Sequence, residues 1–147
     1  MQTSQLAAAQ VGAASAVLNG KLYVISGFTS APEGPKPLLG VAVYDPLSKT
    51  VRAAAPIPTP RFGAMSWVED GKIHVAGGVT PLGKPLNHLE AYDPVRDRWE
   101  ILTPLQTPRA HAAVARLHGK TLVAGGHDGM IYHGFIAPLG VVEAMTP

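Results

Sequence analysis

Short apolar runs, punctuated by Gly, Pro and Asn or Asp, recur along this chain, and three of them share one pattern. Gly71-Lys72-Ile73-His74-Val75-Ala76-Gly77-Gly78 returns as Gly119-Lys120-Thr121-Leu122-Val123-Ala124-Gly125-Gly126, and in looser form as Gly20-Lys21-Leu22-Tyr23-Val24-Ile25-Ser26-Gly27. The offsets are 51 and 48 residues. A period near 50 is the mark of stacked supersecondary units. Each copy is preceded by a mostly apolar stretch, over 13–18, 64–68 and 112–117, and by a two-residue turn, Asn19-Gly20, Asp70-Gly71 or His118-Gly119. Asn-Gly and Asp-Gly are strong hairpin signals because both positions tolerate positive φ. The pattern therefore predicts an antiparallel pair, strands a and b, in each unit.

A variable loop follows, over 28–40, 79–88 and 127–140. A third strand, c, is expected at 41–44 and 89–92, ending on Asp45-Pro46 and Asp93-Pro94, and a fourth, d, at about 50–54 and 98–102. Pro-rich turns at 56–60 and 104–108 close each unit. Four short antiparallel strands per repeat predict an all-β chain of β-propeller blades. The blades run about 11–56, 61–105 and 109–147, within a single domain over 1–147. Composition agrees: sixteen Gly and fourteen Pro supply turns, and 46% hydrophobic against 15% charged residues is too apolar for a disordered chain.

The chain resembles the kelch repeat family across essentially its whole length. The residues that carry the resemblance are the double glycines Gly77-Gly78 and Gly125-Gly126, then Tyr92, Asp93 and Trp99, and the Pro-Arg pairs Pro60-Arg61 and Pro108-Arg109. Blade one departs from the pattern, with Ser26-Gly27 for the double glycine and Val51 where blade two has Trp99, so its outer edge is expected to pack less tightly. The glycines read as sites of close backbone approach. Tyr92 and Trp99 read as apolar area between blades, each with a polar atom that needs a partner.

The third repeat ends early: Val142-Glu143-Ala144-Met145-Thr146-Pro147 matches Leu89-Glu90-Ala91-Tyr92-Asp93-Pro94, with no strand d behind it. At the other end, Leu6 precedes Gln10 as Ile57 precedes Arg61 and Leu105 precedes Arg109, so residues 1–6 correspond to the later part of a strand d. Three blades do not close a ring of 4 to 8. The expectation is a two-fold homodimer forming one six-bladed ring, in which residues 1–6 of one chain pair with blade three of its partner.

The net charge of +2, spread without a basic run, argues against nucleic acid as a partner. There is no Cys, so disulfides and thiolate chemistry are excluded. No apolar stretch approaches the ~20 residues that span a bilayer, and the N-terminus lacks the basic start and apolar core of a signal peptide; a cytoplasmic protein without membrane contact is expected. No metal-ligand spacing occurs among the six His, and no metal or cofactor is expected.

Candidate ligand contacts lie where the resemblance places the channel mouth: Arg61, Arg109, His111, His127, Asp128 and His133. Arg61 and Arg109 are repeated, which favours bonds to carbonyls of an adjoining loop; in a two-fold ring they are also candidates to bind an anion or acidic peptide. The resemblance implies a scaffold that binds a protein or small ligand, anionic or sugar, through its b–c and d–a loops. A sugar-modifying, epimerase-like enzyme and a purely structural assembly unit are the alternatives, and catalysis is the less favoured reading. No residue is assigned a catalytic role.

Overall fold

A computed structural model describes Leu6, residues 8–132 and residues 135–145. Fifteen strands make up its regular structure: β1 Ala14–Leu18, β2 Lys21–Ile25, β3 Phe28–Ala31, β4 Gly34–Pro37, β5 Val41–Asp45, β6 Thr50–Ala54, β7 Met65–Glu69, β8 Lys72–Ala76, β9 Leu89–Asp93, β10 Arg98–Leu102, β11 Ala113–Leu117, β12 Lys120–Ala124, β13 His127–Tyr132, β14 Phe135–Pro138 and β15 Val142–Met145. The first sheet has the order β1-β2-β5-β6 and the second β7-β8-β9-β10, each antiparallel throughout. The third is β11-β12-β15. Among the described residues no helix is long and apolar enough to cross a membrane.

Local chemistry accounts for the hairpins. Asn19-Gly20, Asp70-Gly71 and His118-Gly119 all hold positive φ at both positions, the geometry of a type I′ turn, whose twist matches that of the flanking strands. The Asp-Pro corners are fixed by side chains: Asp45 accepts the Leu47 N–H at 2.9 Å, and Asp93 accepts that of Val95 at 2.9 Å. Two of the variable loops after strand b carry regular structure of their own. They fold into the added hairpins β3–β4 and β13–β14.

The sheets stack face to face, with β7 lying against β1 on one side and β11 on the other. Side chains of alternating direction give each sheet two faces. Between the first and second sheets, Tyr23, Ile25, Val41 and Val43 meet Ile73, Val75 and Tyr92. The Tyr92 ring lies 5.8 Å from Tyr23 and 5.3 Å from Trp99. The polar atoms expected to need partners have them. Tyr92 donates to Asp97 at 2.6 Å, the Trp99 indole donates to the Ala55 carbonyl at 2.9 Å, and Asp97 accepts the Ala55 N–H at 2.8 Å. Between the second and third sheets, Met65, Trp67 and Leu89 meet Val123, Val114 and Met145.

Backbone bonds fix the height of each sheet against the next. The Gly63 N–H donates to Gly12 at 2.9 Å and the His111 N–H to Gly63 at 2.8 Å. The glycine that ends strand b in the first two units adds a bond, Gly27 donating to the Arg61 carbonyl at 2.9 Å and Gly78 to that of Arg109 at 2.8 Å. At Gly78, φ is +92° and an added Cβ meets the Phe62 carbonyl at 2.9 Å, so glycine is required on two counts. On the outward face of the first sheet, half-buried Val51 lines a shallow pocket with Leu6, Gln10 and Ala42. Of the segment 1–6 expected to pair with a partner chain, residues 1–5 lie outside the described residues.

Candidate functional site

The linker entering each of the last two sheets carries Arg61 or Arg109, and both side chains are fully buried. Arg61 Nε donates to the Thr59 carbonyl at 3.0 Å, and one of its terminal nitrogens to the Gly77 and His88 carbonyls at 3.2 Å each. The other forms an ion pair with Glu90, itself buried and accepting the Thr59 hydroxyl at 2.9 Å. Arg109 repeats the arrangement. It donates to Gly125 at 3.1 Å, Val141 at 3.0 Å and Glu143 at 2.6 Å.

Burial pulls the Arg61 guanidinium below its usual value, and Glu90 partly restores it. Burial alone would raise the Glu143 carboxyl, but the N–H groups of Gln106 and Thr107 and the charge of Arg109 hold it below the usual carboxylate range. The anion-binding expectation for Arg61 and Arg109 is thus corrected. Their charges are spent on Glu90 and Glu143, and their remaining donors on backbone carbonyls. Blade one lacks both halves of the pair, having Gln10 and Ala42 at the matching positions.

The rim beside these linkers is built from the residues that start strand a and leave strand b. Isolated bridges join Val11 to Phe28, Phe62 to Val79 and Ala110 to His127, once per sheet. Phe28 and Phe62 meet edge to face with centroids 5.0 Å apart. His111 and His127 stack at 5.2 Å, with His111 Nδ1 3.0 Å from His127 Nε2. His127 Nδ1 accepts the Gly129 N–H at 3.2 Å. Since that acceptor nitrogen is unprotonated, His127 donates through Nε2 and His111 accepts. Burial lowers the His127 pKa, as does the electrostatic effect of neighbouring His111, against a smaller opposing effect of Asp128.

His111 has φ +54°, whereas Gly12 and Gly63 hold the matching positions with φ +67° and +64°. A left-handed histidine carries a backbone cost of about 1–2 kcal/mol. Its ring fills the space beside Gly63, where an added Cβ would lie 2.5 Å from it.

Four rings, Phe28, Phe62, His111 and His127, therefore line one rim across all three sheets. Of the six sequence candidates, the structure brings His111 and His127 together, with Asp128 following in β13. It buries Arg61 and Arg109, and His133 lies outside the described residues. Phe28 and Phe62 were not foreseen. Their positions, directly after Gly27 and Arg61, carried the signal. Among the described residues no group of three or more His, Asp or Glu gathers to hold a metal ion. His74 faces the third sheet, stacked 5.2 Å from Trp67, and burial lowers its pKa.

Residues 70–106 match the family model of the Kelch motif. Among solved structures the chain is similar to the structure of YjhT, with a TM-score of 0.72 at 22% identity. The match covers 81% of this chain and 44% of that one, so this chain spans less than half of YjhT. Comparison with curated proteins gives no significant match. The chain carries a kelch motif, and its stacked antiparallel sheets have the fold of kelch-type β-propeller blades.

Proposed function

We propose that this chain is a binding scaffold that closes with a second copy into a six-bladed ring and holds a ligand at the aromatic rim. The observation that carries this reading is the chemistry of the two outer sheet faces. On the first sheet, Val17, Leu22, Tyr44 and Val51 form one cross-strand row. They occupy the positions of Val68, Ile73, Tyr92 and Trp99, the row with which the second sheet packs on the first. On the third sheet, Ala113, Ala124 and Val142 form one row of the outward face and Ala115, Leu122 and Ala144 another. Large side chains on one face meet small ones on the other, the complementarity that lets layers interdigitate. Val17 is 65% exposed and Val142 63%, and exposed apolar faces of this extent mark interaction surfaces.

The rim suits a ligand with apolar or CH-rich faces, a sugar or a peptide, because its rings offer stacking area with two imidazoles as hydrogen-bonding groups. Light scattering at micromolar concentration tests the assembly. A mass of twice the 15.3 kDa chain is expected, returning to one chain in Val17→Glu with the circular dichroism unchanged. A stable monomer of the unmodified chain refutes closure by a second copy. Oligosaccharide and peptide arrays probed with the unmodified chain and with Phe62→Ala test the rim separately; equal binding by both removes it as the ligand site.

A further inference from the structure

The four ring nitrogens of the stacked His111–His127 pair are all accounted for. His127 Nδ1 accepts the Gly129 N–H at 3.2 Å, and His111 Nδ1 accepts from His127 Nε2 at 3.0 Å. Each neutral ring therefore keeps its one proton on Nε2. Every lone pair on the two rings already holds a hydrogen bond, so a further proton must break one.

The Gly129 bond stands at an irregular stretch of the β13–β14 ladder. β13 pairs with β14 at His127 and again at Ile131 and Tyr132, and the register shifts between. Within that stretch the Gly129 N–H is held by the His127 ring. The same corner is fixed by other contacts. The backbone of His127 exchanges two bonds with Ala110, at 3.0 and 3.1 Å, Pro85 lies against Gly129, and the His111 ring covers Gly63. The pair thus ties the base of the hairpin to the linkers that enter the second and third sheets.

Few charges face it. The linkers carry Arg61 and Arg109, met by Glu90 and Glu143. The loop over 79–88 carries Lys84 and His88, the latter 3.3 Å from the Thr59 hydroxyl. β14 carries no charged residue, and β13 carries Asp128, whose opposing effect on His127 is smaller than those of burial and His111.

We propose that the His111–His127 pair is an acid-released latch on the β13–β14 hairpin. A proton taken up at His127 Nδ1 turns an acceptor into a donor facing the Gly129 N–H, and that bond is lost. A proton taken up at His111 Nδ1 meets the His127 Nε2–H in the same way, and the rings part. Both bonds oppose charging, so the latch stays closed above the ordinary imidazole value of about 6.5 and opens as pH falls through the folded value. His127 is one of the four rim rings, so opening changes the rim itself. The latch lies within one chain and stands independently of ring closure.

Imidazole nitrogen shifts of the unmodified chain, read by NMR at about pH 7.5, test the proton count. Both rings should carry hydrogen on Nε2 alone. Amide exchange, corrected for its intrinsic pH dependence, tests the release. Between about pH 7.5 and about pH 5, protection of the Gly129 N–H should fall about fivefold further than that of Val75 in β8, the worth of one net hydrogen bond. His127→Asn separates the latch from general acid loss. Its side-chain carbonyl accepts an N–H two residues on and does not titrate, so the excess fall at Gly129 should vanish. A ring protonated at Nδ1 at about pH 7.5, no excess fall at Gly129, or the same excess in His127→Asn each overturns the proposal.

Discussion

Removing either partner of the Arg61–Glu90 pair should cost at least as much as removing both. Arg61→Gln leaves the Glu90 carboxylate, 1% exposed, with the Thr59 hydroxyl as its remaining hydrogen-bond donor among the described contacts, and takes a donor from the Gly77 and His88 carbonyls. Breaking a buried pair in this way costs about 3–5 kcal/mol. Glu90→Ala leaves the guanidinium buried opposite an empty site and should cost a similar amount. The double variant Arg61→Gln/Glu90→Ala reproduces what blade one has in Gln10 and Ala42. It loses packing and two or three net hydrogen bonds, about 2–4 kcal/mol in all. The coupling energy is therefore on the order of 4 kcal/mol, against a total stability of about 5–15 kcal/mol for a domain. Urea unfolding at fixed protein concentration measures it. Tryptophan fluorescence is a fitting probe, because Trp67 and Trp99 both belong to the second sheet, as does Glu90. Additive single-variant effects, with a coupling below about 1 kcal/mol, would show that the two charges are not energetically linked and would refute the reasoning.

Two further outcomes follow from the same structure. Gly71→Ala, at φ +72° in open space, should cost about 1–2 kcal/mol from backbone alone, whereas Gly78→Ala adds a collision with the Phe62 carbonyl and should cost roughly 3 kcal/mol; thermal midpoints that fall equally would contradict the close approach. Stability should also decline with acid in two stages. The folded-state pKa values of His74 and His127 are lowered, chiefly by burial, so their contribution is present above about pH 6.5 and is lost as pH falls through the folded values. The carboxylates of Asp97, lowered first by the Tyr92 hydroxyl, and of Glu69, lowered first by the Trp67 indole, add a second loss below about pH 4.5. Urea midpoints measured from pH 8 to pH 3 check both stages, and a midpoint independent of pH would rule them out.

The strands were legible in the sequence because each carries its own punctuation. Asn19-Gly20, Asp70-Gly71 and the Asp-Pro corners specify local geometry, and the alternation between them specifies which face is buried. The match of 142–145 to 89–92 located β15 with no local turn signal at all. The added hairpins were not legible. β4 is Gly34-Pro35-Lys36-Pro37, a sequence that reads as a breaker, and it is tolerated because β4 is the outer strand of a two-stranded ribbon. At the site, the Arg–Glu pairs were written in the chain and went unread. Arg61 and Arg109 recur, Glu90 and Glu143 recur, and blade one drops both together, as partners do. The rim rings were marked by position alone, since Phe28, Val79 and His127 share a place in the fold but not a chemistry.

The belt of backbone bonds through Gly12, Gly63 and His111 has a consequence for how such a protein can diversify. The spacing and height of neighbouring sheets are held by backbone N–H and carbonyl groups, which every residue but proline supplies. The side chains at 28, 62, 79 and 127 are thereby released from architectural duty. They can be exchanged to suit a new ligand while the frame beneath them keeps its pitch, so the evolution of recognition and the upkeep of the fold proceed on separate sets of atoms.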